Sequence, residues 1–117
     1  MPWIDGHLDL AYVGVRGRDI TVPCPEGSAE SVSLPALREA GVRIAFATIF
    51  TEPGVFGPDH PHGYPASDDL DAAEAAGMRQ LEFYENLEKA GHIVIIRTPA
   101  DRLAHGDMAL GKLGGVV

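Results

Sequence analysis

Trp3-Ile4-Asp5-Gly6-His7-Leu8-Asp9-Leu10 opens the chain and governs how the remaining residues are understood. Trp3 and Ile4 have the character of the end of a short buried strand, Gly6 breaks that strand, and His7 and Asp9 follow with one apolar residue between them. Extended residues two apart point to the same face, so an imidazole and a carboxylate project together while Leu8 turns into the packing. Both groups are ligands for a zinc-like divalent ion, and the neighbouring glycine admits close backbone approach. The spacing serves a plainer arrangement equally well, with His7 capping a turn and Asp9 acting as the N-cap of a following helix. His-x-Asp by itself leaves both open.

Outward from this stretch, 117 residues amount to at most one domain. With 45% hydrophobic and 22% charged residues the composition is that of a globular chain. A net charge of -8 and a pI near 4.9 argue against nucleic acid or an anionic membrane surface as partner. The single cysteine, Cys24, rules out an intramolecular disulfide. Flanked by Pro23 and Pro25, with no basic residue close in sequence, it is expected to be an inert loop residue. No basic and apolar leader follows Met1 and no apolar run reaches the length of a membrane span. The expected location is cytoplasmic, with secretion of a longer parent left open. Leu110 to Val117 reads as a turn into a strand just begun, so the chain is expected to be a segment of something longer.

From Ala11 to Ser33 the punctuation by Gly14, Gly17, Pro23, Pro25 and Gly27 predicts a long loop with a turn near Asp19 to Val22. Tyr12, Arg16 and Arg18 fall here and are expected to be solvated or locally packed rather than facing a substrate. Ser33 to Gly41 predicts a helix, with Ser33 as N-cap, Pro35 in the first turn and Gly41 as the stop. Val42 to Phe50 is apolar except at Arg43 and Thr48, which predicts a strand covered on both faces. Strand, loop, helix and strand make a βαβ unit, and the fold class is α/β. Thr51 to Ser67 reads as a second loop in which His60 and His62 are expected to be solvated.

Asp68 to Ala90 predicts the longest helix, capped by Ser67 or Asp68, with Leu70, Ala73, Gly77, Leu81, Tyr84 and Leu87 as its inward stripe. At about 35 Å it suits the outer layer of a larger body. His92 to Arg97 predicts a short strand. Thr98, Pro99 and Asp101 then start a further helix, and Gly114 to Val117 begins another strand.

This order, from the DGHLDL opening through SLPALREAGV and a long helix to IRTPADRLA and a glycine-led strand, resembles the membrane dipeptidase (renal dipeptidase, peptidase M19) family of amidohydrolase-like metal-dependent hydrolases. The resemblance spans Ile4 to Val117. Most related metal hydrolases carry His-x-His at the first strand, so the aspartate of His7-x-Asp9 favours this family. It implies the N-terminal portion, residues 1–117, of a (β/α)8 TIM-type barrel with a two-zinc centre at its C-terminal mouth. There a metal-activated water cleaves the peptide bond of a dipeptide. His7 and Asp9 would be metal ligands, and no other catalytic residue falls within the chain. The bridging glutamate and the histidines of the second metal would come after Val117, which leaves this segment inactive alone. Two other readings stand beside it: a different metal-dependent hydrolase, acting on a lactone, ester or cyclic amide, and a non-catalytic truncated product. Unpaired strand edges lead to an expectation of self-association as a homo-oligomer.

Overall fold

The computed structural model describes residues 3–101 and 113–116. Its frame is a four-stranded parallel sheet made of β1 (Trp3–Leu8), β2 (Val42–Ala47), β5 (Ile93–Ile96) and β6 (Leu113–Val116), in the order β1-β2-β6-β5. Helices α1 (Leu10–Val15), α2 (Leu34–Glu39) and α3 (Leu70–Lys89) lie between the strands in sequence. A two-residue parallel pair, β3 (Glu52–Pro53) and β4 (Gly63–Tyr64), ties the long loop that follows β2. Among the described residues, no helix is long and apolar enough to cross a membrane.

α2 forms for the reasons its sequence states. The Ser33 hydroxyl accepts from the Ala36 N–H at 3.2 Å, Pro35 lies in the first turn, and Gly41 takes φ +82° just past the end. In β2, Ile44 and Ala45 are both buried, so the middle of the strand is covered on both faces. The strand ends at Ala47, however, and Phe46, Ile49 and Phe50 are exposed. Thr98 and Asp101 exchange hydrogen bonds at 3.0 and 3.2 Å, a capping box on the helical turn at 99–101. The continuation of that helix lies outside the described residues.

Three expectations are corrected. Trp3 and Ile4 are 64% and 57% exposed, although β1 is paired along β2. Gly6 does not end β1. It sits in a bulge, where the pairs Asp5↔Ala45 and Leu8↔Ala47 advance three residues on β1 against two on β2. The supposed loop after Asp9 begins with the helix α1, whose Leu10 and Ala11 are buried. Gly14 marks a contact rather than a break: a Cβ there would lie 2.0 Å from Cζ of Phe83 on α3.

α3 starts at Leu70, two residues later than expected, with the Asp69 carboxylate accepting from the Ala72 N–H at 3.0 Å. Its buried positions are Ala76, Gln80, Tyr84 and Leu87, while Leu70 is exposed. The inward face thus includes a polar residue that hydrophobic periodicity passes over. The outer edge of β5 is guarded: the Ile95 N–H donates to Glu88 Oε2 at 2.7 Å, and Arg38 Nη2 donates to the His92 carbonyl at 2.8 Å. Leu8, Leu10, Ile20, Leu34, Tyr84 and Ile93 share one core cluster with Ala45.

Candidate metal centre

The carboxyl ends of β1 and β2 lie side by side, joined where the Thr48 N–H donates to the Leu8 carbonyl at 3.2 Å. In parallel sheets this end is where ligands bind. The bulge aims the first two candidates. Leu8 is buried, and His7 and Asp9 stand outward with side chains 73% and 47% exposed. The Asp5 carboxylate accepts from the His7 N–H at 2.9 Å and braces the turn of backbone through Gly6.

His7 Nε2 and Asp9 Oδ1 are 3.3 Å apart. That is a direct imidazole–carboxylate contact, at the long end of the roughly 2.7–3.2 Å of an N–H···O bond. Two donors on one tetrahedral zinc at about 2.0–2.1 Å each are separated by about 3.3–3.4 Å. The pair therefore matches one edge of such a shell. It does not make a whole one, because among the described residues no group of three His, Cys, Asp or Glu side chains comes together.

Asp9 occupies the N-cap position of α1, yet its side chain makes no capping hydrogen bond. Its Oδ1 instead accepts a short hydrogen bond from the Thr48 hydroxyl at the end of β2. A hydrogen-bonded second partner is what orients a ligating carboxylate. Thr48 is held in turn by α3: the Tyr84 hydroxyl donates to the Thr48 carbonyl at 2.8 Å and accepts from the Ala11 N–H at 3.1 Å. One turn earlier on the same helix face, the Gln80 amide accepts from the Phe50 N–H at 2.9 Å and donates to the Phe50 carbonyl. Burial, with a further contribution from the Asp9 charge, pushes the Tyr84 hydroxyl above its ordinary value despite its hydrogen bonds.

His60 and His62 divide. His60 is exposed as expected, while His62 is 2% exposed, which corrects the solvated reading. His62 Nε2 lies 3.4 Å from Glu52 Oε2, and its ring packs edge-on against Tyr12 at 4.7 Å between centroids and stacks with Phe50 at 6.1 Å. His62 Nδ1 is buried with no hydrogen-bond partner among the described residues. The loop closes over these rings because β3 and β4 pair, which draws His62 inward. Tyr12 is half-buried in that aromatic layer, which is the local packing expected of it. Cys24 lies in a loop as expected, and Arg18 Nη2 reaches its sulfur at 2.7 Å. Thr48, Gln80 and Tyr84 were not singled out as site residues by sequence; the one signal was a polar Thr closing an apolar strand. Against family models, curated proteins and solved structures alike, the chain gives no match.

Proposed function

We propose that the chain is the N-terminal part of a zinc-dependent hydrolase of the membrane dipeptidase type, with His7 and Asp9 as ligands to one of its metals. The observation that carries this is the 3.3 Å separation of His7 Nε2 and Asp9 Oδ1 at the carboxyl end of a parallel strand. The parallel sheet with helices between strands fits the α/β class, but its order β1-β2-β6-β5 sets β5 outside β6, whereas a (β/α)8 barrel takes its strands in sequence order, so the barrel reading rests on the family resemblance alone. Zinc bound there would lower the pKa of a bound water and polarise a carbonyl. The residues of this chain do the rest of the work available to them. His7 and Asp9 present donors at the right bite, Thr48 fixes the carboxylate rotamer, and Tyr84 fixes Thr48.

Catalytic zinc normally has three protein ligands, and among the described residues no third joins the pair; the family resemblance places the further donors after Val117. The substrate class that follows from the family resemblance is a dipeptide.

Zinc titration by calorimetry tests the ligand pair directly. Binding to the chain is expected to be weak, and His7→Ala and Asp9→Ala are each expected to lower the affinity at least tenfold. Unchanged zinc affinity in His7→Ala would overturn the assignment. Turnover of dipeptides by the protein carrying this segment, including those with a D-residue on the C-terminal side, separates the substrate classes. Lactone or ester hydrolysis without dipeptide hydrolysis would replace the dipeptidase reading, and no hydrolysis at all would leave a non-catalytic chain.

A further inference from the structure

Beside Tyr12 the surface opens into a cleft of about 470 Å³, lined in part by Tyr12, Val13, Arg16, Arg18, Glu30 and Val32. Sites for small molecules fall in roughly this size range. The two guanidinium groups in it are unlike. Arg18 is consumed, with Nε 2.8 Å from Glu30 Oε2 and Nη2 on the Cys24 sulfur. Arg16 donates from Nη1 to the Tyr12 hydroxyl at 2.7 Å and lies over the Tyr12 ring, 5.0 Å from its centroid. Its Nε and Nη2 make no hydrogen bond among the described residues. Two cations against the Glu30 carboxylate leave this cleft with an excess positive charge, in a chain whose net charge is -8. A concave wall of that sign concentrates anions.

Position adds direction. Asp9, Tyr12 and Arg16 are spaced by three and four residues, the spacing of one helix face. Stacking on Tyr12 folds the Arg16 guanidinium back one turn along α1, toward Asp9. The ring holds the planar fork in place before any ligand arrives, which spares the ordering cost that a loose arginine would meet. A planar fork with one unused edge, that of Nε and Nη2, matches a carboxylate better than a single ammonium would.

We propose that Arg16, seated on Tyr12, captures the carboxylate of an acidic small molecule in this cleft. The molecule's other end then extends past Tyr12 toward Asp9. The second half rests on the metal-site reading given above, whereas carboxylate capture does not.

The test is a titration of the whole chain, followed through the Arg16 Nε–Hε and Tyr12 ring resonances. The probes are N-acetylglycine, its uncharged amide N-acetylglycinamide, and inorganic phosphate. N-acetylglycine is expected to shift both residues and to bind at least tenfold more tightly than the amide. Arg16→Gln should abolish that preference. Tyr12→Phe, which keeps the ring and removes the hydroxyl, should weaken binding about threefold. Arg16 is exposed at the end of α1, so an unchanged thermal midpoint in Arg16→Gln is the control for folding. Equal binding of acid and amide, equal binding by Arg16→Gln, or phosphate bound more tightly than the acid would each overturn the proposal. Zinc titration of the same samples stands apart from this result. Failure of His7→Ala to weaken zinc would remove the metal reading and leave the carboxylate subsite intact.

Discussion

Tyr84→Phe removes one oxygen atom and, on the geometry described, disturbs two things at once. An N-cap side chain ordinarily accepts the N–H of the second or third helical residue. Asp9 is the N-cap of α1 and does not do so. The N–H of Ala11, the second residue of α1, goes instead to the Tyr84 hydroxyl at 3.1 Å, so α3 supplies the cap across the core. Loss of that acceptor leaves the N–H of a fully buried residue unsatisfied, at a cost of about 1–3 kcal/mol. Loss of the donor to the Thr48 carbonyl adds about 0.5–1.5 kcal/mol. The ring stays and no large cavity opens. Because the two bonds share one atom their costs overlap, and the expected destabilisation is about 2–3 kcal/mol. Urea unfolding followed by circular dichroism measures it. The vacated N–H also invites the nearest carboxylate, that of Asp9, to cap its own helix and leave His7 and Thr48. Zinc affinity should therefore fall at least tenfold in the same variant. A Tyr84→Phe protein within about 0.5 kcal/mol of the parent, with zinc affinity intact, would refute the argument.

Gly14→Ala places a Cβ against the Phe83 ring and is expected to cost about 1–3 kcal/mol; Phe83→Leu in that background should recover at least half, and simple additivity of the two costs would count against the contact. Thr48→Val keeps the shape of the side chain but removes the donor to Asp9, so zinc should bind about tenfold more weakly while Thr48→Ser binds normally. Equal affinity in the two variants would remove Thr48 from the site. The raised Tyr84 pKa has a definite sign. The unfolded chain loses its phenolic proton near the usual value of about 10, before the folded one does. Stability from this group is thus complete below about pH 10 and is lost as pH rises toward the higher folded value. Tyr84→Phe should flatten that alkaline limb, and an unchanged limb would assign it to other groups.

Much of the frame was legible because local chemistry and packing agree there. Ser33, Pro35 and Gly41 bound α2 as their types dictate, and the alternating burial of Leu8 between His7 and Asp9 follows from extended backbone. Glycine was the main source of error. Gly14 looks like punctuation in sequence but is required by the approach of Phe83, a residue 69 positions away, so no local window contains its reason. Gly6 likewise marks a bulge that re-aims His7 and not the end of a strand. The exposure of Trp3 and Ile4 depends on what lies over the faces of β1, which no run of neighbouring residues records.

The site was legible at its donors and not at its supports, and the reason is a competition for one carboxylate. Sequence offered two uses for Asp9, helix cap or metal ligand, and local propensity alone favours the cap. What decides between them is Tyr84, on a helix that begins 61 residues after Asp9. Its hydroxyl satisfies the helix, which releases the Asp9 carboxylate to face His7 under the hydrogen bond from Thr48. Gln80, one turn away, fixes the backbone that follows Thr48 in the same manner. Both are polar residues on the buried face of α3, where a hydrophobic stripe was expected and where an unpaired polar group would be costly. Buried polar residues at one-turn spacing on α3 are therefore a feature that hydrophobic periodicity passes over. It gains its meaning only when the chain ends of β1 and β2 are known to lie beneath that helix.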